Sequence, residues 1–167
     1  MITDFLLYSA KEFPTKTALI FENSQINYFD LNQKALSLAR TLKKNKPHVI
    51  SLLLSNSIDF CISFFGILYS GNICHIIPTS ISDFNLANQL KLTNPSIILS
   101  NSIFQKKLSR TNLIEKYTFL DITKFDFKNN SVLDYESDTP IDSSLLALIL
   151  FSAGTTSVPK AVQLSHN

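Results

Sequence analysis

Apolar residues recur at helical spacing in the first quarter of the chain, with one interruption by a pair of short β-type runs. Helices are predicted over 3–12 and 30–44, and Asp30 is the predicted N-cap of the second helix. Between them, strands at 18–21 and 25–28 flank a polar turn at 23–24, which predicts a hairpin.

Further along, continuous β-branched runs alternate with amphipathic stretches. The runs predict strands buried on both faces, at HVISLLL, ICHIIP and SIILS. The stretches between them, SIDFCISFFGILYS and SDFNLANQLKLTN, predict crossover helices that begin at serine caps. Such an order predicts parallel strands, and a helix near 101–108 followed by a strand at YTFLD extends it.

The last quarter of the chain breaks this regularity and then returns to it. Residues 122–143 are polar and aperiodic, which predicts an irregular surface connection, and SLLALILF has buried-strand character again. KAVQL alternates like a strand. The fold class predicted is therefore α/β: a three-layer, sandwich-like arrangement with a mostly parallel buried sheet, flanking helices and a terminal strand–loop–strand.

Length and composition narrow the class of protein. A chain of 167 residues with 45% apolar and 17% charged residues can form one domain with its own core. A net charge of +2 gives no indication of a nucleic-acid partner or a membrane surface. The apolar stretch 58–77 is interrupted by polar residues and glycines, so no transmembrane segment is predicted, and the N-terminus lacks a secretory signal.

The cysteines and histidines show no metal-ligand spacing. Cys61 and Cys74 lie in apolar surroundings, which favours reduced core cysteines and, with the absence of a secretory signal, a cytoplasmic location. His48, His75 and His166 are far apart in sequence, so no metal ligands are predicted.

The stretch FSAGTTSVPK carries the candidate chemistry. Small hydroxyl residues after a buried strand present O–H and N–H donors to one point, which suits a phosphate group, and a nearby lysine adds positive charge. The candidate binding residues are Ser152, Gly154, Thr155, Thr156, Ser157 and Lys160. An ordinary polar hairpin loop is the alternative.

A Walker A loop is excluded by residues and by context. Aligning Gly154 and Lys160 with that motif places Pro159 where its second glycine belongs and Ala161 where its metal-binding hydroxyl belongs. The strand-like pattern that follows the lysine also differs from the helix that a Walker A loop opens.

The terminal segment FSAGTTSVPKAVQLSHN resembles the phosphate-binding signature of the AMP-forming adenylating enzymes: acyl-CoA synthetases, acyl-AMP ligases, luciferases and peptide-synthetase adenylation domains. Ten residues match the signature: Phe151, Ser152, Gly154, Thr155, Thr156, Pro159, Lys160, Val162, Ser165 and His166. Two earlier segments, INYFDLNQKALSLARTL and VISLLLSNSIDFCISFFGILYSGNICHIIPTS, are also similar to family motifs.

Three positions depart from the signature: Ala153 replaces a serine, and Ser157 and Ala161 replace glycines. Serine or alanine does occur at the Ser157 position in some branches, such as the fatty acyl-AMP ligases. The missing glycines narrow the backbone geometries open to the loop. Because family members continue for several hundred residues, residues 1–167 are expected to be an incomplete N-terminal portion of such an enzyme domain, inactive alone.

The resemblance implies ATP and Mg²⁺ as cofactors and a two-step reaction. A small-molecule carboxylate is activated as an acyl-adenylate, and a thiol of coenzyme A or a carrier protein then accepts the acyl group. The loop residues and Lys160 would bind the β- and γ-phosphates, and no catalytic residue is assigned. A non-catalytic remnant, a nucleotide-binding module of this fold and part of an amino-acid adenylation domain stay open, although LSHN favours the acyl-CoA and acyl-AMP branches.

Overall fold

The computed structural model of the chain describes residues 1–110, 114–127, 142–152 and 160–167. Within these ranges the helices are α1 (Ile2–Glu12), α2 (Tyr28–Leu42), α3 (Ile58–Tyr69), α4 (Asp83–Thr93) and α5 (Ser102–Ser109). The strands are β1 (Thr17–Phe21), β2 (Ser24–Asn27), β3 (Val49–Leu52), β4 (Ile73–Ile76), β5 (Ile97–Ser100), β6 (Thr118–Asp121), β7 (Leu146–Ser152) and β8 (Lys160–Ser165).

The main sheet has six strands in the order β6-β5-β3-β4-β7-β8. Neighbours from β6 to β7 are parallel, and β8 pairs antiparallel with β7. Strands β1 and β2 form a separate antiparallel hairpin. The predicted α/β fold with a mostly parallel sheet, flanking helices and a terminal strand–loop–strand is confirmed.

Helices cover both faces of the sheet, as a three-layer arrangement requires. On one face, Ile50, Leu52 and Cys74 point into a core that α2 and α3 close. On the other face, alternate residues such as Leu53 and Ile77 pack against α4 and α5. None of the helices in the described ranges combines the length and the apolar character that crossing a membrane requires.

The predicted start of α2 is wrong. The helix begins at Tyr28, and its N-cap is Asn27, whose side-chain oxygen accepts a hydrogen bond from the Asp30 backbone N–H at 2.7 Å. Asp30 lies in the first turn and accepts a hydrogen bond from the Asn27 side-chain amide at 2.9 Å. Strand β2 ends directly at the cap, so the N-cap lies three residues earlier than predicted.

The other predicted helix boundaries follow from local chemistry. Ser57 and Ser82 cap α3 and α4 by accepting backbone N–H groups at 3.1 and 3.3 Å. Gly71, with a φ of 73°, follows α3 in the left-handed conformation that glycine adopts without strain.

The connection after β6 differs from its prediction as a surface segment. Ile122 is buried, and the rings of Phe125 and Phe127, which pack against the α2–α3 core, meet edge to face at a centroid distance of 4.8 Å. Residues 122–127 are therefore partly core, and 128–141 lie outside the described residues. Cys74 is fully buried, Cys61 is half-buried, and both are free thiols, as predicted.

Candidate functional site

The candidate site lies at the edge of the sheet where the parallel strands end. In sheets of this kind, ligands bind outside the carboxyl ends of the strands. A groove of about 430 Å³ opens at this edge, between the residues that follow β3 and those that follow β4. It is lined by Leu54, Ser55 and Asn56 after β3 and by Pro78, Thr79 and Ser80 after β4, together with neighbouring aromatic side chains.

The end of β7 brings two of the predicted binding residues to the same edge. Ser152, the last residue of β7, is the direct partner of Lys160, the first residue of β8. Their backbones meet because the strands are antiparallel, and the Ser152 hydroxyl donates to the Lys160 carbonyl at 3.4 Å. Both side chains are exposed, so the Lys160 ammonium group is open to an anion, and the Ser152 hydroxyl would donate to one after turning away from the carbonyl.

The remaining predicted binding residues, Gly154, Thr155, Thr156 and Ser157, lie outside the described residues. The described residues show where the loop begins and ends: Ser152 and Lys160 are directly paired positions of one β-ladder. The chain leaves the loop as a strand, whereas a Walker A loop opens a helix. The prediction that KAVQL forms a strand is therefore confirmed, and a strand at this position does not fit a Walker A loop.

Among the described residues, Lys160 forms no ion pair, and no cluster of His, Cys, Asp or Glu could hold a metal ion. The donor set at the ends of the loop, a hydroxyl and an ammonium group, fits the oxygen atoms of a polyphosphate.

His75 of β4, which the sequence analysis considered only as a possible metal ligand, lies beside the end of β7. The ring is fully buried on the α4 face of the sheet and lies edge to face against Phe151, with the ring centroids 5.3 Å apart. Burial lowers the pKa of His75 to about 4, while a hydrogen bond to Gln89 opposes the change. The imidazole is therefore neutral at physiological pH, and it contacts the residue that precedes Ser152.

His166, which follows β8, has a structural position. Its side chain is buried, its backbone N–H donates to the Leu145 carbonyl at 3.3 Å, and its Nδ1 atom has no hydrogen-bond partner among the described residues. Burial lowers the pKa of His166, the α-amino group of Met1 lowers it further, and Asp4 opposes both. The residue fixes the end of the hairpin next to α1.

Solved structures share this fold. An anthranilate CoA ligase, AuaEII, in complex with anthranoyl-AMP superposes with a TM-score of 0.86 at 20% identity, covering 99% of this chain and 33% of that chain. A fatty acyl-adenylate ligase from L. pneumophila, in complex with acyl adenylate and pyrophosphate, gives a TM-score of 0.81 at 23% identity, covering 99% and 30%.

Known proteins are also similar to this chain in sequence. Tyrocidine synthase 1 of Brevibacillus parabrevis is 25% identical over 160 residues, which is 94% of this chain and 14% of that protein. A probable acyl-activating enzyme 21 of Arabidopsis thaliana is 25% identical over 181 aligned positions, covering 97% of this chain and 33% of that protein. The chain thus spans a minor part of these relatives.

The family model described as AMP-binding enzyme matches residues 6–167, which includes the β7–β8 hairpin and nearly all of the rest of the chain. With a match of this extent, the chain belongs to the AMP-binding enzyme family.

Proposed function

We propose that residues 1–167 form the N-terminal, phosphate-binding portion of an enzyme that activates a carboxylic acid as its acyl-adenylate with ATP. The observation that carries the proposal is the family match through residue 167, across a hairpin at the carboxyl edge of the sheet. The exposed hydroxyl and ammonium groups of Ser152 and Lys160 support an anion as the ligand.

In the proposed first step, a carboxylate oxygen of the acid forms a bond to the α-phosphorus of ATP. The bond from that phosphorus to its bridging oxygen breaks, and pyrophosphate leaves with the electron pair. Ser152, Thr155, Thr156 and Ser157 would donate to the β- and γ-phosphate oxygens, and Lys160 would stabilise the charge that grows on the leaving group. Mg²⁺ would be bound mainly by phosphate oxygens and would neutralise part of this charge.

In the proposed second step, the sulfur of a thiol bonds to the acyl carbon, and the thiol proton passes to the solvent. The bond from the acyl carbon to the phosphate oxygen breaks, and AMP leaves with the electron pair. Coenzyme A or a carrier-protein phosphopantetheine is the acceptor that we propose. Free Cys61 and Cys74 support a reducing, cytoplasmic location for this chemistry.

Replacing Lys160 by alanine is expected to weaken the binding of ATP·Mg to the chain. A hydrogen bond to a charged group contributes about 1.5–3 kcal/mol, so the dissociation constant should rise about tenfold to a hundredfold. Isothermal titration calorimetry measures it. Lys44→Ala is the matched control, because Lys44 is an exposed lysine in the connection before β3, at the opposite edge of the sheet.

Binding that is equal in the parent chain and in Lys160→Ala would contradict the proposed role of the lysine. It would favour the alternative that the chain is a non-catalytic remnant of this fold. The departures Ala153, Ser157 and Ala161 support that alternative, because they remove a hydroxyl donor and two glycines from the loop.

The acid that is activated has two candidate classes. The segment LSHN favours the acids of the acyl-CoA and acyl-AMP ligase branches, whereas the similarity to tyrocidine synthase 1 favours amino acids. ATP–pyrophosphate exchange by the complete protein that contains this chain, with a panel of both classes, separates them. Exchange only with amino acids would exclude the first class.

A further inference from the structure

We propose that His75 is a positioning residue for the phosphate-binding loop and that it acts through the ring of Phe151. The effect of His75 on nucleotide binding rests on the proposed function. The effect of His75 on the end of β7 does not, and hydrogen exchange tests it separately.

A closed hydrogen-bond network fixes the orientation of the His75 ring. Ser51, the neighbour of His75 in the β3–β4 ladder, has its hydroxyl 2.8 Å from Nδ1, and the Gln89 side-chain oxygen lies 3.4 Å from Nε2. A neutral ring that carries its proton on Nε2 satisfies both contacts, since Ser51 donates to Nδ1 and Nε2 donates to Gln89. The Thr93 hydroxyl lies 3.3 Å from Nδ1 but donates its proton to the backbone carbonyl of Gln89 at 2.8 Å, so Ser51 is the donor to Nδ1.

Burial makes this orientation costly to change. His75 and Ser51 have no exposed surface, and Gln89 is 5% exposed. A rotation of the ring would leave buried donors and acceptors without partners in a part of the protein that water does not reach. Strands β3 and β4 and helix α4 therefore hold the imidazole as one unit.

The ring in turn supports the end of β7. His75 is the direct partner of Ile149 in the parallel β4–β7 ladder, and Phe151 lies two positions further along β7, on the same face. The edge-to-face contact of His75 with Phe151 joins the network to the residue that precedes Ser152. A shift of Phe151 would move Ser152 and its partner Lys160 together, because they are paired across the hairpin.

The ring contact with His75 is made by Phe151 of β7, the strand that leads into the loop. Phe104 of α5 also packs on this side of the sheet, but against the α4–α5 core cluster that includes Leu108 and Tyr117. It serves as an aromatic control whose removal disturbs the core on this face of the sheet without removing the contact of His75 with Phe151.

The test compares five variants of the chain by calorimetry with ATP·Mg and by thermal unfolding. His75→Leu and Phe151→Leu each remove the ring contact and should raise the dissociation constant roughly threefold to tenfold. The double variant should bind no more weakly than the weaker single variant, since the two residues act through one contact. Phe151→Tyr retains a ring and should bind as the parent does, and Phe104→Leu should lower the melting temperature without weakening binding. Additive losses, or an equal loss of binding in Phe104→Leu, would overturn the proposal.

Hydrogen exchange without nucleotide separates this proposal from the proposed function. His75→Leu and Phe151→Leu should speed exchange at the backbone amides of 150–152 and 160–162, and Phe104→Leu should leave those amides as in the parent. If the parent chain shows no Lys160-dependent binding but this pattern is found, the proposed function fails and the positioning role stands. If exchange at these amides is the same in all variants, the positioning role is excluded.

Discussion

Replacing Gly66 by valine is expected to lower the free energy of unfolding by about 2–3 kcal/mol, the upper part of the range for overpacking a buried site. Gly66 lies in α3, where the helix meets α2. A Cβ atom at this position would lie 2.9 Å from Leu38 Cδ2 and 3.1 Å from the Ala35 carbonyl oxygen. Leu38 is fully buried and the carbonyl is part of the α2 backbone, so two further methyl groups would force the helices apart.

Urea unfolding followed by circular dichroism measures this loss. Ser63→Ala is the matched control, because Ser63 lies one turn earlier in α3, is fully buried, and has a hydroxyl oxygen without a hydrogen-bond partner among the described residues. Removing that hydroxyl should leave stability unchanged or raise it slightly. A Gly66→Val variant as stable as the Ser63→Ala variant would contradict a close α2–α3 contact.

The parallel sheet was predictable because its strands carry a local signal. Continuous apolar runs such as those of β3, β4 and β5 are typical of strands covered on both faces, and the helices between them make the crossovers. The order of the strands carries no comparable signal. Strand β7 lies next to β4, although about seventy residues of chain separate their starts.

The errors in the prediction occur where two local signals compete. Asn27 and Asp30 are both residues that cap helices, and what decides between them is the position at which β2 ends. The segment 122–127 was predicted as surface on its polar composition, yet it alternates Phe125 and Phe127 with charged residues. That period of two places both rings on the core side.

The candidate site, too, could be predicted only in part from the sequence. Ser152 and Lys160 were identified because hydroxyl and lysine residues follow a buried strand, and the structure brings these two together. His75 was missed because a single histidine in the run ICHIIP is indistinguishable from a core residue. Its partners Ser51 and Gln89 are 24 and 14 positions away, and only the sheet register and the packing of α4 bring them to it.

His75 also gives the protein a predictable dependence of stability on pH. Its pKa is about 4 in the folded chain, against 6.5 for an ordinary histidine, because burial disfavours the charged ring. Between these values the unfolded chain binds a proton that the folded chain does not, so stability falls as the pH is lowered from about 6.5 towards 4. The stabilisation due to the neutral ring is fully present above pH 6.5, and about 3 kcal/mol of it is lost at pH 4.

The measurement is urea unfolding of the parent and of His75→Gln at pH 7 and pH 5. Over this interval the parent should lose about 2 kcal/mol more than the variant, since glutamine does not titrate and the folded histidine stays neutral. His166, whose pKa burial also lowers, keeps a share of the pH dependence in both proteins. Parallel stability curves for the two proteins would contradict a neutral His75 in the fold. A smaller dependence in the variant would establish that the ring held against Phe151 is the uncharged form, which burial favours.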